Sequence, residues 1–341
     1  MTFAEVASKF SDESAAWVYV EGLRWNGKPE CPRCGAEDVF YMAPRTETLR
    51  VTRTGKETHR RVWKCRSCKR QFSVLVGTIF EGTKIPLSKW LMAIYLMSAG
   101  KNGVAALELQ RVLGITYKSA WFMVHRIREA MANIGGAQMF GTIVADETWV
   151  GGNPKNRHKV TPKPVPYVPG EGGQETTKVP VMTIINTDTD QAVSTVVPNT
   201  QGHTLRKVLA DHVQIEASDL ITDESTSYTL LGREFVSHRT VNHSKGEYVR
   251  NGVTTNKAEG FFSQMKRSID GTHHGVSAEH LQRYAREFDF RYGHRKLSDG
   301  ERATTMMLRG NGARISYQTL ISRGPVAMGT WPVPVGRPGP R

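Results

Sequence analysis

The apolar positions divide this chain into a helical first part and a strand-rich second part. Ser11-Asp12-Glu13-Ser14 offers caps ahead of Ala15-Ala16-Trp17-Val18-Tyr19-Val20, which predicts a short helical lead-in within residues 1–30. Val39-Phe40-Tyr41 and Arg61-Val62-Trp63-Lys64 alternate well enough for strands. Pro86-Leu87-Ser88-Lys89-Trp90 opens a strongly apolar helix over 88–99 that ends at Gly100. A second helix, about 104–113, stops at Leu113-Gly114-Ile115-Thr116, and a third runs from Tyr117 to Met131. From Gly141 the character changes. Thr142–Val150 is a short apolar run with an acidic pair inside it, and Val179–Thr187 with Gln191–Val197 predicts a hairpin around Asp188-Thr189-Asp190. A helix over about 201–213 follows, then a short strand over Asp219–Asp223.

Two further helices close the pattern. Thr255–Arg267 opens one, with Phe262, Met265 and Ile269 at helical spacing, so that Glu259 and Lys266, two turns apart, project from nearly the same side. Asn256 and Glu259 also fit an N-cap and its reciprocal partner, which would merely start that helix. Leu281–Tyr292 is amphipathic, with Leu281, Tyr284 and Phe288 set to pack and Arg283, Arg286 and Arg291 able to face phosphate or simply solvent. Residues 151–178 are rich in Pro, Gly, Lys and Arg without periodicity and read as a loop, either a basic DNA-contacting one or a plain solvated one. The last twenty residues, rich in Pro and Gly, are expected to be disordered.

Charge changes this picture. The 341 residues hold 46 Lys and Arg against 32 Asp and Glu, a formal net charge of +14 that favours a polyanionic partner, most simply nucleic acid. No apolar run approaches the roughly 20 residues that span a bilayer. Met1-Thr2-Phe3-Ala4-Glu5 has neither a basic nor an apolar leader region, so a cytoplasmic, nucleoid-associated protein is the expectation. In the helical part, Lys118, His125, Arg126 and Arg128 accompany Ala120, Trp121, Val124 and Ile127 on the third helix. Helix, Gly-containing turn and basic helix is the helix-turn-helix pattern, although a small bundle with a solvated basic face has the same signature.

The four cysteines form two pairs, Cys31-Pro32-Arg33-Cys34 and Cys65-Arg66-Ser67-Cys68. Two such knuckles present four thiolates to one tetrahedral zinc, which makes this segment a zinc ribbon with an extended hairpin. The doubled motif in a chain without a leader argues against disulfides or a redox pair.

The acidic positions carry the rest. One apolar strand ends in Asp146 and another in Asp223, and a helix carrying Glu259 follows. Buried strands seldom hold carboxylates unless these are paired or bind metal. Together the three can hold two divalent ions, Mg²⁺ or Mn²⁺, for phosphodiester chemistry. Glu147 and Glu224 stand beside these aspartates, and spacing alone does not separate them.

Asp223 and Glu259 have 35 residues between them, with Lys266 seven further on. That spacing resembles the D,D(35)E pattern of transposases and retroviral integrases. More narrowly, the chain resembles bacterial insertion-sequence DDE transposases of family fifteen-ninety-five. The resemblance is carried by Arg24-Trp25-Asn26-Gly27, Cys31-Pro32-Arg33-Cys34-Gly35, Gly77-Thr78-Ile79-Phe80, Leu113–Trp121, Asp146–Gly152, Asn256–Arg267 and Gly271–Ser277, in order over roughly residues 12–296. It implies an α/β fold: an RNase H-like catalytic domain, a mixed sheet flanked by helices, preceded by a zinc ribbon and a helix-turn-helix segment. It further implies Asp146, Asp223 and Glu259 as metal ligands and Lys266 on substrate phosphate. The resulting division is a lead-in at 1–30, a zinc ribbon at 31–82, the helix-turn-helix region at 86–135, the catalytic domain at 140–296 and an extension at 297–341.

The function so implied is a DNA transposase. It would bind terminal inverted repeats, cut strands with divalent metal, and join 3′-hydroxyl ends to target DNA as a homo-oligomer on DNA. Lys118, Arg126, Arg128 and Arg267 are the candidate DNA contacts. The alternatives are a catalytically inactive DNA-binding regulator and an RNase H-like nuclease without strand transfer. Residues 151–178 are longer than the family's usual connection, and His243, in a loop before the Glu259 helix, stands either near the site or as a structural residue.

Overall fold

The structure is a computed structural model that describes residues 2–43, 50, 51, 53, 55, 57–132, 136–151, 178–241 and 255–321. Nearly all of the 151–178 loop, His243 and the last twenty residues lie outside these.

The lead-in forms two helices, α1 (Phe3–Lys9) and α2 (Glu13–Trp25). Thr2 and Glu5 close a capping box on α1, and the Asp12 carboxylate caps α2 at the Ser14 N–H. The ribbon follows. Its antiparallel sheet has the order β1 (Val39–Tyr41), β4 (Trp63–Cys65), β5 (Gln71–Phe72), and the hairpin extends into β2 (Arg50–Val51) and β3 (Glu57–Thr58). Next come α3 (Leu87–Ala99), α4 (Ala106–Leu113) and α5 (Tyr117–Met131), close to their expected bounds.

The second half is built on a sheet of β6 (Met139–Val150), β7 (Val179–Asn186), β8 (Ala192–Val196), β9 (Val213–Thr222) and β10 (Ser237–Thr240). Among the described residues its order is β10-β9-β6-β7-β8, with β6, β7 and β8 antiparallel and β9 and β10 parallel to their neighbours. This is the mixed sheet expected of an RNase H-like fold. Strand β9 is twice the expected length, because Val213-Gln214-Ile215-Glu216 already alternates apolar with polar. Strand β10 was not anticipated, since Ser237-His238-Arg239-Thr240 has no apolar period and forms an edge strand.

Helices cover both faces. On one lies α6 (Gly202–His212), whose Leu205, Val208 and Leu209 bury against Ile143, Ala145 and Leu220. On the other lie α7 (Asn256–Gly271) and α8 (Ala278–Gly293), with Ala258, Phe261, Phe262 and Met265 against Val144 and Ile221. Helix α8 also protects the β8 edge. Its Asp289 carboxylate accepts from the Ser194 N–H at 2.9 Å, and its Gln282 amide bonds the Val196 N–H and the Ser194 carbonyl.

The chain past residue 296 is not a mere extension. Ser298 and Glu301 form a capping box for α9 (Asp299–Arg309), which packs on α3, and α10 (Tyr317–Ile321) lays Tyr317 against Phe122. Ala303, Met306 and Ala313 therefore share one core with the lead-in, the ribbon and α3–α5.

Candidate functional site: a thiolate centre and a carboxylate cluster

The cysteine site is complete in the protein alone. Gly35 and Lys69, each just past the second cysteine of its pair, adopt left-handed backbone angles (φ 71° and 59°). The Gly35 N–H donates to the Cys31 carbonyl and the Cys65 N–H to the Arg70 carbonyl, so each knuckle folds back over its own thiolates. Cys31 Sγ lies 3.7 Å from Cys68 Sγ, and Cys34 Sγ lies 3.7 Å from Cys65 Sγ, with all four sulfurs within 4.8 Å of one another. A tetrahedron with Zn–S bonds of about 2.3 Å has edges of about 3.8 Å, so the spacing fits zinc and is far too long for a disulfide.

The carboxylates are set by strand periodicity. In the parallel pairing of β6 with β9, Thr142 faces Asp219, Ile143 faces Leu220 and Val144 faces Ile221. Two residues beyond that last pair stand Asp146, still on β6, and Asp223, just past the end of β9. Side chains alternate along a strand, so both share the face of Val144 and Ile221, which is the face α7 covers. Glu147 falls on the opposite face, with Ile143, Ala145 and the α6 side. The pairing thus separates Asp146 from its neighbour, which spacing had left open. That signal was present in the alternation of Val144 and Asp146 against Ala145 and Glu147.

Local backbone orients both aspartates. Asp146 Oδ1 accepts from the Glu147 N–H at 2.7 Å, and Asp223 Oδ1 accepts from the Ser225 N–H at 3.0 Å. Their charges meet at one place. Burial pushes the Glu147 carboxyl up to about 7, and Asp146 and Asp223 push it the same way. Tyr228, whose hydroxyl donates to Glu147, is raised well above its ordinary value by burial and by the charges of Glu147, Asp146 and Asp223. An acidic, all-oxygen pair on one face is a donor set that suits Mg²⁺ or Mn²⁺.

Helix α7 begins at Asn256 with Thr255 as its N-cap, and no side-chain cap bond forms there. Glu259 is therefore the fourth helical residue, one place past the position a capping box needs. Glu259 and Lys266 are both exposed, beside the buried stripe Ala258, Phe261, Phe262, Met265 and Ile269. Glu259 is carried by the helix that covers the aspartates' side of the sheet. However, among the described residues the thiolates alone converge within 4.8 Å as a set of three or more ligands, so the three carboxylates are not drawn together to that degree.

The expected DNA contacts divide sharply. Lys118 is exposed at the start of α5, its Nζ 4.6 Å from the Tyr317 ring centroid, and Arg267 is exposed on α7. Arg126 and Arg128 are not available to phosphate, contrary to expectation, because they are 3% and 1% exposed. Arg126 donates to the Glu81 carbonyl and lies over Trp90 and Phe122. Arg128 pairs with Glu287 at 2.6 Å and lies over Tyr284. Of the α8 arginines, Arg291 bonds Glu287 and the carbonyls that end α3, while Arg283 and Arg286 flank Glu129. Helices α4 and α5 follow one another across Gly114 and pack together, but past its first turn α5 is an interior helix.

Among the described residues no helix is long and apolar enough to cross a membrane. Residues 138–293 match the ISXO2-like transposase domain, and residues 11–71 match the transposase zinc-ribbon domain. The chain is also 27% identical over 285 residues to an uncharacterised protein in the transposable element ISH50 of Halobacterium salinarum, covering 83% of this chain and 91% of that one. The ribbon, the RNase H-like sheet and these matches agree: the chain carries a transposase zinc-ribbon domain followed by an ISXO2-like transposase domain, the pairing of an insertion-sequence transposase.

Proposed function

We propose that this transposase binds the terminal inverted repeats of its insertion sequence, cleaves DNA strands at a site formed by Asp146, Asp223 and Glu259, and transfers the freed 3′-hydroxyls to target DNA. The observation that supports this reading is that Asp146 on β6 and Asp223 just past the end of the parallel strand β9 each stand two residues beyond the last pair, Val144 with Ile221, on a sheet face covered by the helix that carries Glu259. The two aspartates and Glu259 would hold the divalent ions, which would supply the chemistry of activating a water or hydroxyl and stabilising the leaving oxygen of a phosphodiester.

The remaining roles belong to the chain's own side chains. Lys266, exposed two turns along α7 from Glu259, grips a phosphate oxygen of the strand being cut. Arg267 beside it and Lys118 at the start of α5 contact the DNA backbone. The ribbon, its four thiolates on structural zinc, and the first turn of α5 recognise the ends. Two ends must be handled together, so a second copy joins the first on DNA.

The test is Mg²⁺-dependent nicking and joining on DNA carrying the ends that flank this gene, with wild type and Glu259→Ala. The expected result is joined product from wild type, none from Glu259→Ala, and end-binding by both. Specific binding by wild type with no cleavage would overturn the catalytic reading in favour of a regulator. Nicks without joined product would leave a nuclease.

A further inference from the structure

The parallel pairing that sets Asp146 beside Asp223 ends short of both residues. Its last pair is Val144 with Ile221, after which β6 continues against β7 to Val150 while β9 stops at Thr222. Each aspartate is turned by its own local N–H donor. Those bonds fix how each carboxylate points and leave the distance between the two strand ends open.

One side-chain pair spans that gap. Past Asp223 the chain makes a short 3-10 turn, Thr226–Tyr228. Tyr228 is completely buried in the cluster of Ile143, Ala145 and Leu220, and its hydroxyl donates to the carboxylate of Glu147. Glu147 immediately follows Asp146 on β6, so the bond links the residue next to one aspartate with the turn that follows the other. The far side of that turn is anchored too, since Ser227 Oγ donates to the Thr200 carbonyl at 2.9 Å.

A fold needing only a filled core would not place a carboxylate there. Glu147 is half-buried, and drawing a carboxylate even that far from solvent beside two other acids is costly, so an apolar pair of the same volume would be cheaper. We propose that Glu147 and Tyr228 are positioning residues: their bond sets the separation of Asp146 and Asp223 and holds the Glu147 carboxylate on the opposite face, out of the ion site. The proposal rests on the reading that the two aspartates bind divalent ions.

The test measures Mn²⁺ binding to the zinc-loaded full chain, from the free-ion EPR signal and without DNA. Wild type, Asp223→Ala, Tyr228→Phe, Glu147→Gln and Glu147→Leu are compared, with thermal unfolding of each as a control. Glutamine keeps an oxygen that accepts from the phenol. Tyr228→Phe and Glu147→Leu are expected to weaken Mn²⁺ binding by about 10–100-fold, the usual cost of losing a residue that orients a ligand. Glu147→Gln should stay closer to wild type than either. Should one of the two tie-breaking variants fail to fold, the other asks the same question from the opposite end of the bond. Unchanged binding in a folded Tyr228→Phe would overturn the brace, as would Glu147→Gln falling as far as Glu147→Leu. If wild type binds no Mn²⁺ in an Asp223-dependent way, the ion-site reading fails and the brace with it.

Discussion

Helices α5 and α7 are both studded with basic residues, and the structure uses them in opposite ways. On α7 the apolar stripe is narrow, and Lys266 and Arg267 stand in solvent beside it. On α5 every residue from Met123 to Met131 is buried, because α3, α4, α8 and α9 surround it. Its arginines are internal struts. Arg128, Glu287 and Arg291 form a buried charge chain from α5 through α8 to the carbonyls ending α3. The chain is packed tightly enough that a Cβ on Gly103, which has φ +82°, would come within 2.9 Å of Glu287 Oε1. The lesson is that a basic amphipathic helix in a basic protein is an interface only where its charges lack carboxylates of their own. On α5 the carboxylate of Arg128, Glu287, comes from more than a hundred residues away in sequence, and Arg126 is held by the Glu81 carbonyl.

The strongest way to break this contrast is Arg128→Met. Removing one partner from a fully buried pair leaves Glu287 with Arg291 alone to balance its charge, and the expected loss is about 3 kcal/mol of folding stability. Denaturant unfolding measures it. Replacing both partners, Arg128→Met with Glu287→Leu, should recover much of that loss. A single variant as stable as wild type would mean that Arg128 is not an interior strut.

A second effect, of about 1–2 kcal/mol between pH 7 and pH 5, should come from His125 on the same helix. Burial pushes its pKa down to about 2, and Arg128, His280, Arg283 and His273 push it the same way. The unfolded chain takes up this proton near 6.5 whereas the folded chain resists it. The stabilisation is therefore complete above 6.5 and is lost progressively as the pH falls below it. Glu287 behaves differently. Burial alone would raise its carboxyl, but Arg128 and Arg291 hold it at about 2, so its contribution persists until the pH drops below its ordinary 4.5. His125→Phe should flatten the dependence of melting temperature on pH between 7 and 5. A slope equal to that of wild type would remove His125 from the account.

What the sequence made legible follows from the range of the signal. The ribbon was readable because zinc ligation needs two local knuckles, and each advertises itself within four residues. The strands that lead to Asp146 and Asp223 were readable because an acid at the end of an apolar run is rare in a core. Helix α9 was missed because Ala303 and Met306 bury against α3, a partner some two hundred residues away. Strand β10 was missed because an edge strand with polar side chains needs only backbone pairing. The misreading of Arg126 and Arg128 has the same root, since burial of a charge depends on a distant partner. The Tyr228–Glu147 bond was invisible for that reason too, although the period of β6 already turned Glu147 away from Asp146.

The smallest expected effect on the fold, and the one that sharpens the contrast most, is that of Lys266→Ala. Lys266 is exposed, and its place on α7 puts the ammonium beside the packed stripe with no role in holding it. Surface substitutions of this kind change stability by no more than about 0.5 kcal/mol. Lost phosphate contact, by contrast, weakens end-binding at all sequences alike and lowers the magnitude of the salt slope by about 1. Binding titrations at several salt concentrations, run beside denaturant unfolding on the same preparation, separate the two quantities. A folded Lys266→Ala protein with a reduced salt slope puts this lysine on DNA. Lost stability with an unchanged slope would put Lys266 in the class of Arg128, and the distinction between the outer and the inner basic helix would collapse.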